Sequence, residues 1–157
     1  MTDKQQMLEA LDAGYRRFRE SIANLDDAAF QEVWLGSWDL SRLLAHMAGW
    51  YREMAGALER VARGERPAPE GVDYSDVEAW NARFAAAALS GRAALADWDE
   101  AFRAYRAAAE ALPDHLYGVD PASGRPRIGN RLLQGAGIGH FEEHQPELEA
   151  WLARRGR

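Results

Sequence analysis

The chain has 157 residues, 47% hydrophobic and 28% charged, proportions that give a folded globular protein and exclude a disordered one. Its 19 Lys+Arg against 25 Asp+Glu leave a formal charge of −6, which argues against phosphate backbones and anionic lipid as partners. With 0 cysteines there are no disulfides, thiolate metal sites or cysteine nucleophiles. The charged start MTDKQQMLEALD cannot be the apolar core of a secretion signal, and no uncharged run approaches the ~20 residues of a membrane span. One domain over 1–157, in the cytoplasm and free of nucleic acid and membrane, is the expectation.

In chain order, Thr2 and Gln5 have capping-box spacing, and Leu8, Leu11, Tyr15, Phe18, Ile22 and Leu25 recur at steps of three and four, an amphipathic helix. A connection over Asp26 to Ser37 follows, and Ser37 or Asp39 caps a second helix carrying Leu40, Leu43, Met47, Trp50, Met54, Leu58 and Val61 up to Gly64. The stretch GERPAPEGVD is a loop, because its prolines and glycines oppose helix. Ser75 and Glu78 then read as a capping box for a short helix with Val77, Trp80 and Phe84. Ser90 and Gly91 break it before a helix with Leu95, Trp98, Phe102, Tyr105, Ala109 and Leu112, stopped by Pro113. A second turn-rich loop, Pro113 to Gly129, precedes a last helix over Asn130 to Arg155, whose closing Arg154 and Arg155, with Arg157, suit the helix dipole. No alternating β-branched run predicts a strand. Four principal helices and one short one make an all-α bundle.

The chemistry sits on histidines. His140 and His144 are one turn apart, on a stripe with Leu133, Leu148 and Trp151 that should face the core. Buried imidazoles need partners, since an unsatisfied polar group costs about 1–3 kcal/mol, and a shared divalent ion satisfies both. His46, between Leu43 and Trp50, is the third candidate; three imidazoles without cysteine suit Zn, Ni or Fe and leave a position open for water or substrate. Phe141 directly after His140 excludes the zinc-protease motif, which needs glutamate there. Glu143, toward the histidine side, is the candidate general base, and Glu53, two turns after His46, a ligand or supporting group. Trp34, Trp38, Trp50, Tyr51 and Tyr117 are candidates for the pocket wall, weighed against core packing. Pro146 is expected to kink the helix after His144. Gly135, Gly137 and Gly139 lack a preceding strand and so indicate close helix approach or a mobile turn rather than a phosphate loop.

The stretch VWLGSWDLSRLLAHMAGWYREMAGALERVARGERP resembles the second helix of the DinB-like (YfiT-type) metalloenzyme family, and GHFEEHQPELEAWL its closing His-x-x-x-His helix. VEAWNARFAAAALS is similar to the asparagine-bearing short helix of the ClbS/DfsB-type bundles. The resemblance covers nearly the whole chain. It implies a four-helix bundle with a long crossover between helices two and three, a homodimer, and metal ligands at His46, His140 and His144. Relatives include transferases and isomerases that use low-molecular-weight thiols, so a thiol cosubstrate is implied beside the divalent transition metal. The expected function is activation of water or a small thiol for attack on a small electrophile, as hydrolase or thiol transferase, in stress or detoxification. Two alternatives stand beside it: a metal-independent ClbS-type hydrolase or sequestering resistance protein, and a non-catalytic dimeric bundle. Whether the chain is an enzyme is left open by its sequence.

Overall fold

The computed structural model describes residues 1–156; Arg157 lies outside the described residues. Helix α1 (Asp3–Ile22) opens on the expected capping box, with the Gln5 N–H donating to Thr2 Oγ1 at 3.1 Å and the Thr2 N–H to Gln5 Oε1 at 2.8 Å. It buries Leu8, Leu11, Phe18 and Ile22. A one-turn helix α2 (Asp27–Phe30) leads into strands β1 (Val33–Leu35) and β2 (Trp38–Asp39), an antiparallel hairpin turning at Gly36, whose φ of 60° suits glycine. This hairpin corrects the strand-free expectation for Asp26 to Ser37. Strands of three and two residues are too short to show an alternating pattern.

Helix α3 (Leu40–Ala62) is the centre of the bundle, with Leu40, Leu43, Leu44, Met47, Tyr51 and Leu58 fully buried. Of its two candidate caps, Asp39 does the work: it is 2% exposed, and its Oδ1 accepts from the Arg42 N–H at 2.9 Å. The crossover over residues 63–76 reaches α4 (Val77–Ala86), capped by Asp76 rather than by Ser75, whose backbone and hydroxyl both donate to Asp73 in a tight local turn. Helix α5 (Gly91–Ala111) begins without a local side-chain cap. Its first N–H groups are taken by Gln31 Oε1 at 3.1 Å and Asp27 Oδ1 at 2.9 Å, from across the fold. The same Gln31 oxygen accepts from the Ser41 hydroxyl at 2.7 Å, so one amide ties the starts of α3 and α5 together.

After a 3₁₀ turn (Asp114–Leu116) and a loop pinned by the bridge between Val119 and Pro126, α6 (Ile128–Leu133) starts two residues ahead of the expected Asn130. A π-helical turn (Gln134–Ile138) joins it to α7 (Gly139–Arg155), which continues past Pro146 to its end. Arg155 there pairs with Glu32 at 2.7 Å and stacks over Trp151. Together α1, α3, α5 and the α6–α7 helix form a four-helix bundle with the long crossover between its second and third members. Tyr51, Trp98, Phe102, Tyr105 and Phe141 interlock between them, with Tyr51 and Tyr105 stacked at 5.3 Å. No described helix is long and apolar enough to cross a membrane.

The two differently capped helix starts can be compared. Asp39→Ala removes a buried carboxylate and its bonds to Arg42, and is expected to cost about 1–2 kcal/mol in urea unfolding, whereas Ser90→Ala, which removes no cap bond, stays within about 0.5 kcal/mol.

Candidate functional site

The π turn sets the phase of α7. A Cβ at Gly139 would stand 2.5 Å from the Gln134 carbonyl, and one at Gly137 would meet Leu11 and the Tyr105 ring, so both positions require glycine for close approach. A π turn also displaces carbonyls from the regular ladder, and His140 Nδ1 sits 2.6 Å from the Ala136 oxygen. Three residues after His144, Glu147 Oε1 lies 2.7 Å from His144 Nδ1. Carbonyl and carboxylate oxygens accept only, so in each neutral ring Nδ1 carries the proton and Nε2 the lone pair.

From α3, His46 meets this pair. Its ring centroid is 4.9 Å from that of His140 and 5.8 Å from that of His144, and the latter two are 5.8 Å apart. Three imidazoles around one tetrahedral ion, with nitrogen–metal bonds of about 2 Å, have centroids about 5 Å apart. His46 and His144 are 4% and 6% exposed, and His46 Nδ1 and His144 Nε2 are buried without a hydrogen-bond partner among the described residues. Uncompensated nitrogens of this kind cost stability unless a ligand meets them, so the donor set fits a divalent transition ion. A second grouping shares one member: ligand atoms of Glu143, His144 and Glu147 lie within 4.8 Å of one another. There Glu147 already engages Nδ1, and the Glu143 side chain is 67% exposed, features of groups that support and flank an imidazole rather than enclose a cation.

The histidines lie in a cavity of about 810 Å³. Trp38, tilted against His46 at 5.2 Å, and Trp50 line it, as does Glu143, 3.9 Å from His144 Nε2. Four other residues expected here lie elsewhere. Tyr51 is fully buried in the core, and Tyr117 donates to the Ala109 carbonyl at 2.6 Å beneath the second loop; burial raises both phenols, Tyr117 to about 12. Trp34 stacks on Trp151 at 4.7 Å, outside the cavity. Glu53 accepts from the Tyr74 hydroxyl at 2.7 Å and so fastens the crossover to α3 rather than reaching the histidines.

The cavity also holds the asparagine of the VEAWNARFAAAALS helix, which carried a resemblance but no site role, and two arginines not expected there. Asn81 of α4 accepts from Trp50 Nε1 at 2.6 Å, and Arg66 and Arg131 enter from the crossover and α6. Asn81 had a signal: it takes the apolar-face position between Val77 and Phe84, at steps of four and three. The arginines had none, because the crossing of distant segments places them.

Burial lowers the His46 pKa from 6.5 to about 3, helped by His140 and His144 and opposed by Asn81; burial also lowers that of His140. Between 6.5 and about 3 the unfolded chain therefore binds protons that the metal-free fold refuses, and stability falls as pH drops through that window. Urea midpoints of chelator-treated protein should fall between pH 7 and about pH 5, and less steeply in His46→Gln. Equal slopes would contradict the burial argument.

Among curated proteins none matches the chain. Solved structures share its fold: DfsB, described as a sibling lethal factor precursor, with TM-score 0.77 at 16% identity over 99% of this chain and 98% of that one. The colibactin self-resistance protein ClbS, in complex with a dsDNA, has TM-score 0.77 at 14% identity over 94% of this chain and 93% of that one. That complex overturns the partner expectation that net charge had set: a bundle of this kind does meet duplex DNA. Net charge averages over a surface and says little about one face of it. The mycothiol-dependent maleylpyruvate isomerase has TM-score 0.70 at 18% identity, over 94% of this chain and 63% of that one. These likenesses fit the DinB/ClbS-like helical bundles. The profile described as mycothiol maleylpyruvate isomerase N-terminal domain matches residues 11–124, which include His46 but stop short of α7. By that match over most of its length, the chain belongs to the mycothiol maleylpyruvate isomerase N-terminal domain family.

Proposed function

We propose that the chain carries out thiol-related small-molecule chemistry in this cavity, with His46, His140 and His144 holding a divalent transition ion, Zn, Ni or Fe, and a low-molecular-weight thiol as cosubstrate. The observation that carries the reading is the pair of buried, partnerless imidazole nitrogens at the foot of a largely apolar cavity. The family match, and the mycothiol dependence of a neighbour of the same fold, favour a thiol over water as the nucleophile. When bound, such an ion lowers the pKa of a thiol or water at its open position.

The chain's own groups do the rest. Ala136 O and Glu147 hold two rings in the tautomer that offers Nε2. Trp38 and Trp50 give the cavity apolar walls that exclude water and strengthen each charge interaction inside. The Trp50 N–H fixes Asn81 through its oxygen, which leaves the amide N–H groups to donate to a ligand. Glu143, beside His144, accepts the proton that the thiol releases; as the sulfur bonds to an unsaturated carbon of the substrate, the π pair of that carbon moves onto the atom it was shared with, and Glu143 returns the proton there.

Metal titration of chelator-treated protein tests this, read through the visible spectrum with Co²⁺ and by competition with Zn²⁺. One ion per chain is expected, with affinity lowered more than about 100-fold by His46→Ala, His140→Ala or His144→Ala, and about tenfold by Glu147→Gln. Undiminished affinity in the three histidine variants overturns the reading. Loss confined to Glu143→Gln and Glu147→Gln with His46 and His140 dispensable would move the ion to the exposed carboxylates.

A further inference from the structure

Helix α3 ends on a Schellman motif: the Gly64 N–H donates to the Val61 carbonyl and the Glu65 N–H to that of Arg60, both at 2.9 Å, with Gly64 at φ 79°. Further on, the Val72 N–H donates to the Pro69 carbonyl at 3.1 Å and closes a turn around Gly71, at φ 78°. Between the two glycines, residues 65–70 (ERPAPE) form a strap. Pro67 and Pro69 fix their φ angles and lack an N–H, so the strap is stiff and joins no hydrogen-bonded ladder. None of its residues is buried, and it borders two open spaces. Arg66, Pro67 and Ala68 line the histidine cavity, while Glu65, Ala68 and Pro69 border a second hollow of about 530 Å³ with Arg60 and Val72. Glu65 belongs to the helix stop and pairs with Arg63. Beyond it, one hydrogen bond ties the strap to the bundle among the described residues: Arg60 Nε donates to the Pro67 carbonyl at 2.7 Å. Helix α3 makes room for that guanidinium at Gly56, one turn earlier, where a Cβ would stand 3.1 Å from Arg60 Nη1 and 3.4 Å from Nη2. A glycine inside a helix costs helix stability, and here it leaves the space that Arg60 occupies.

From this geometry we infer that residues 65–70 are a gate on the histidine cavity, latched by Arg60 through the Pro67 carbonyl. A stiff segment between two glycines, with open space beside it, moves as one piece once its single tie is broken, and no helix has to unfold for it to do so. The latch is a charge-assisted bond at the middle of the strap, strong enough to keep the closed arrangement dominant and weak enough to break often. Closure then shields the cavity from water, and opening admits and releases what reacts there. The gate concerns entry alone, so it is tested without metal or thiol and its outcome is independent of the metal titration.

The chain has 0 cysteines, so one introduced thiol is the sole target of a thiol reagent. Ala57 lines the cavity yet is 0% exposed, which makes Ala57→Cys a reporter of opening, read with dithionitrobenzoate in chelator-treated protein. Arg60→Met keeps the apolar stem and removes the latch, and should speed this labelling about tenfold. Ala109→Cys, equally buried but in the core away from the cavity, should label no faster in Arg60→Met than without it. A second measurement needs no cysteine: cleavage by endoproteinase Glu-C after Glu65 or Glu70, located by mass, follows the open population. It should rise about tenfold in Arg60→Met and about threefold in Gly56→Ala, whose thermal midpoint stays level or rises because alanine favours the helix. Labelling and cleavage both unmoved by Arg60→Met overturn the inference, as does equal acceleration of the Ala57→Cys and Ala109→Cys thiols, which marks global loosening.

Discussion

Two imidazoles from one helix reach the bundle interior because the chain before them gives up α geometry for a single turn. An extra residue in the Gln134–Ile138 turn rotates everything after it relative to α6, and the rotation is held from both sides. Gly137 lets the turn press against Leu11 of α1 and Tyr105 of α5, and the Tyr105 hydroxyl donates to the Leu132 carbonyl at 2.6 Å. Gly139 makes room for the Gln134 carbonyl, and Ala136 offers its oxygen to His140. Helix phase, ring tautomer and core packing are therefore one constraint. Glycines that cost about 1 kcal/mol each in an ordinary helix are here the residues that the geometry needs.

The same constraint explains how the histidines tolerate burial. His140 spends its Nδ1–H on the Ala136 carbonyl of the π turn and His144 on Glu147 of α7, so only the Nε2 sides are left without a partner among the described residues. Desolvation lowers the pKa of His46 to about 3 and pushes that of His140 down as well, favouring the neutral form in which an imidazole is a ligand rather than a competing cation. Close approach of three rings at 4.9–5.8 Å would be repulsive if they were protonated.

Periodicity made the helices legible, because Leu11, Phe18, Leu43, Met47, Trp98, Tyr105 and Trp151 recur at helical steps and are all buried. The same periodicity brought His46, His140 and His144 forward as one set, since a histidine on an apolar stripe is visible in the sequence. It could not separate wall from core: Trp50 and Tyr51 stand three and four residues after Met47, both within helical reach of it, yet Trp50 lines the cavity and Tyr51 packs against Tyr105. Nor could it place Trp34 and Trp38, four apart in a region read as loop, because the hairpin turn sends one to Trp151 and the other to His46. Glu53 looked like a neighbour of His46 by helical spacing, but Tyr74, arriving through the crossover, claimed it. Each miss turns on a contact between segments remote in sequence, which local pattern does not encode.

The long crossover is what converts a core into a cavity. Along α3, the faces carrying Leu43, Met47 and Leu58 are closed by packing, whereas the strip of His46, Trp50, Met54 and Ala57 borders open space. A short antiparallel connection would bring the next helix straight back over that strip. Residues 63–76 instead swing wide and return as α4, which packs on α3 through bulky rings: Phe84 fits over Gly49, and Trp50 reaches Tyr74, Trp80 and Phe84 at 5.3–6.1 Å. The roof is tied to α3 at a few polar points: Arg60 donates to the Pro67 carbonyl, Tyr74 to Glu53 and Trp50 to Asn81. Substitutions in the crossover and on α4 can therefore reshape the cavity while leaving the α1, α3, α5 and α7 core in place.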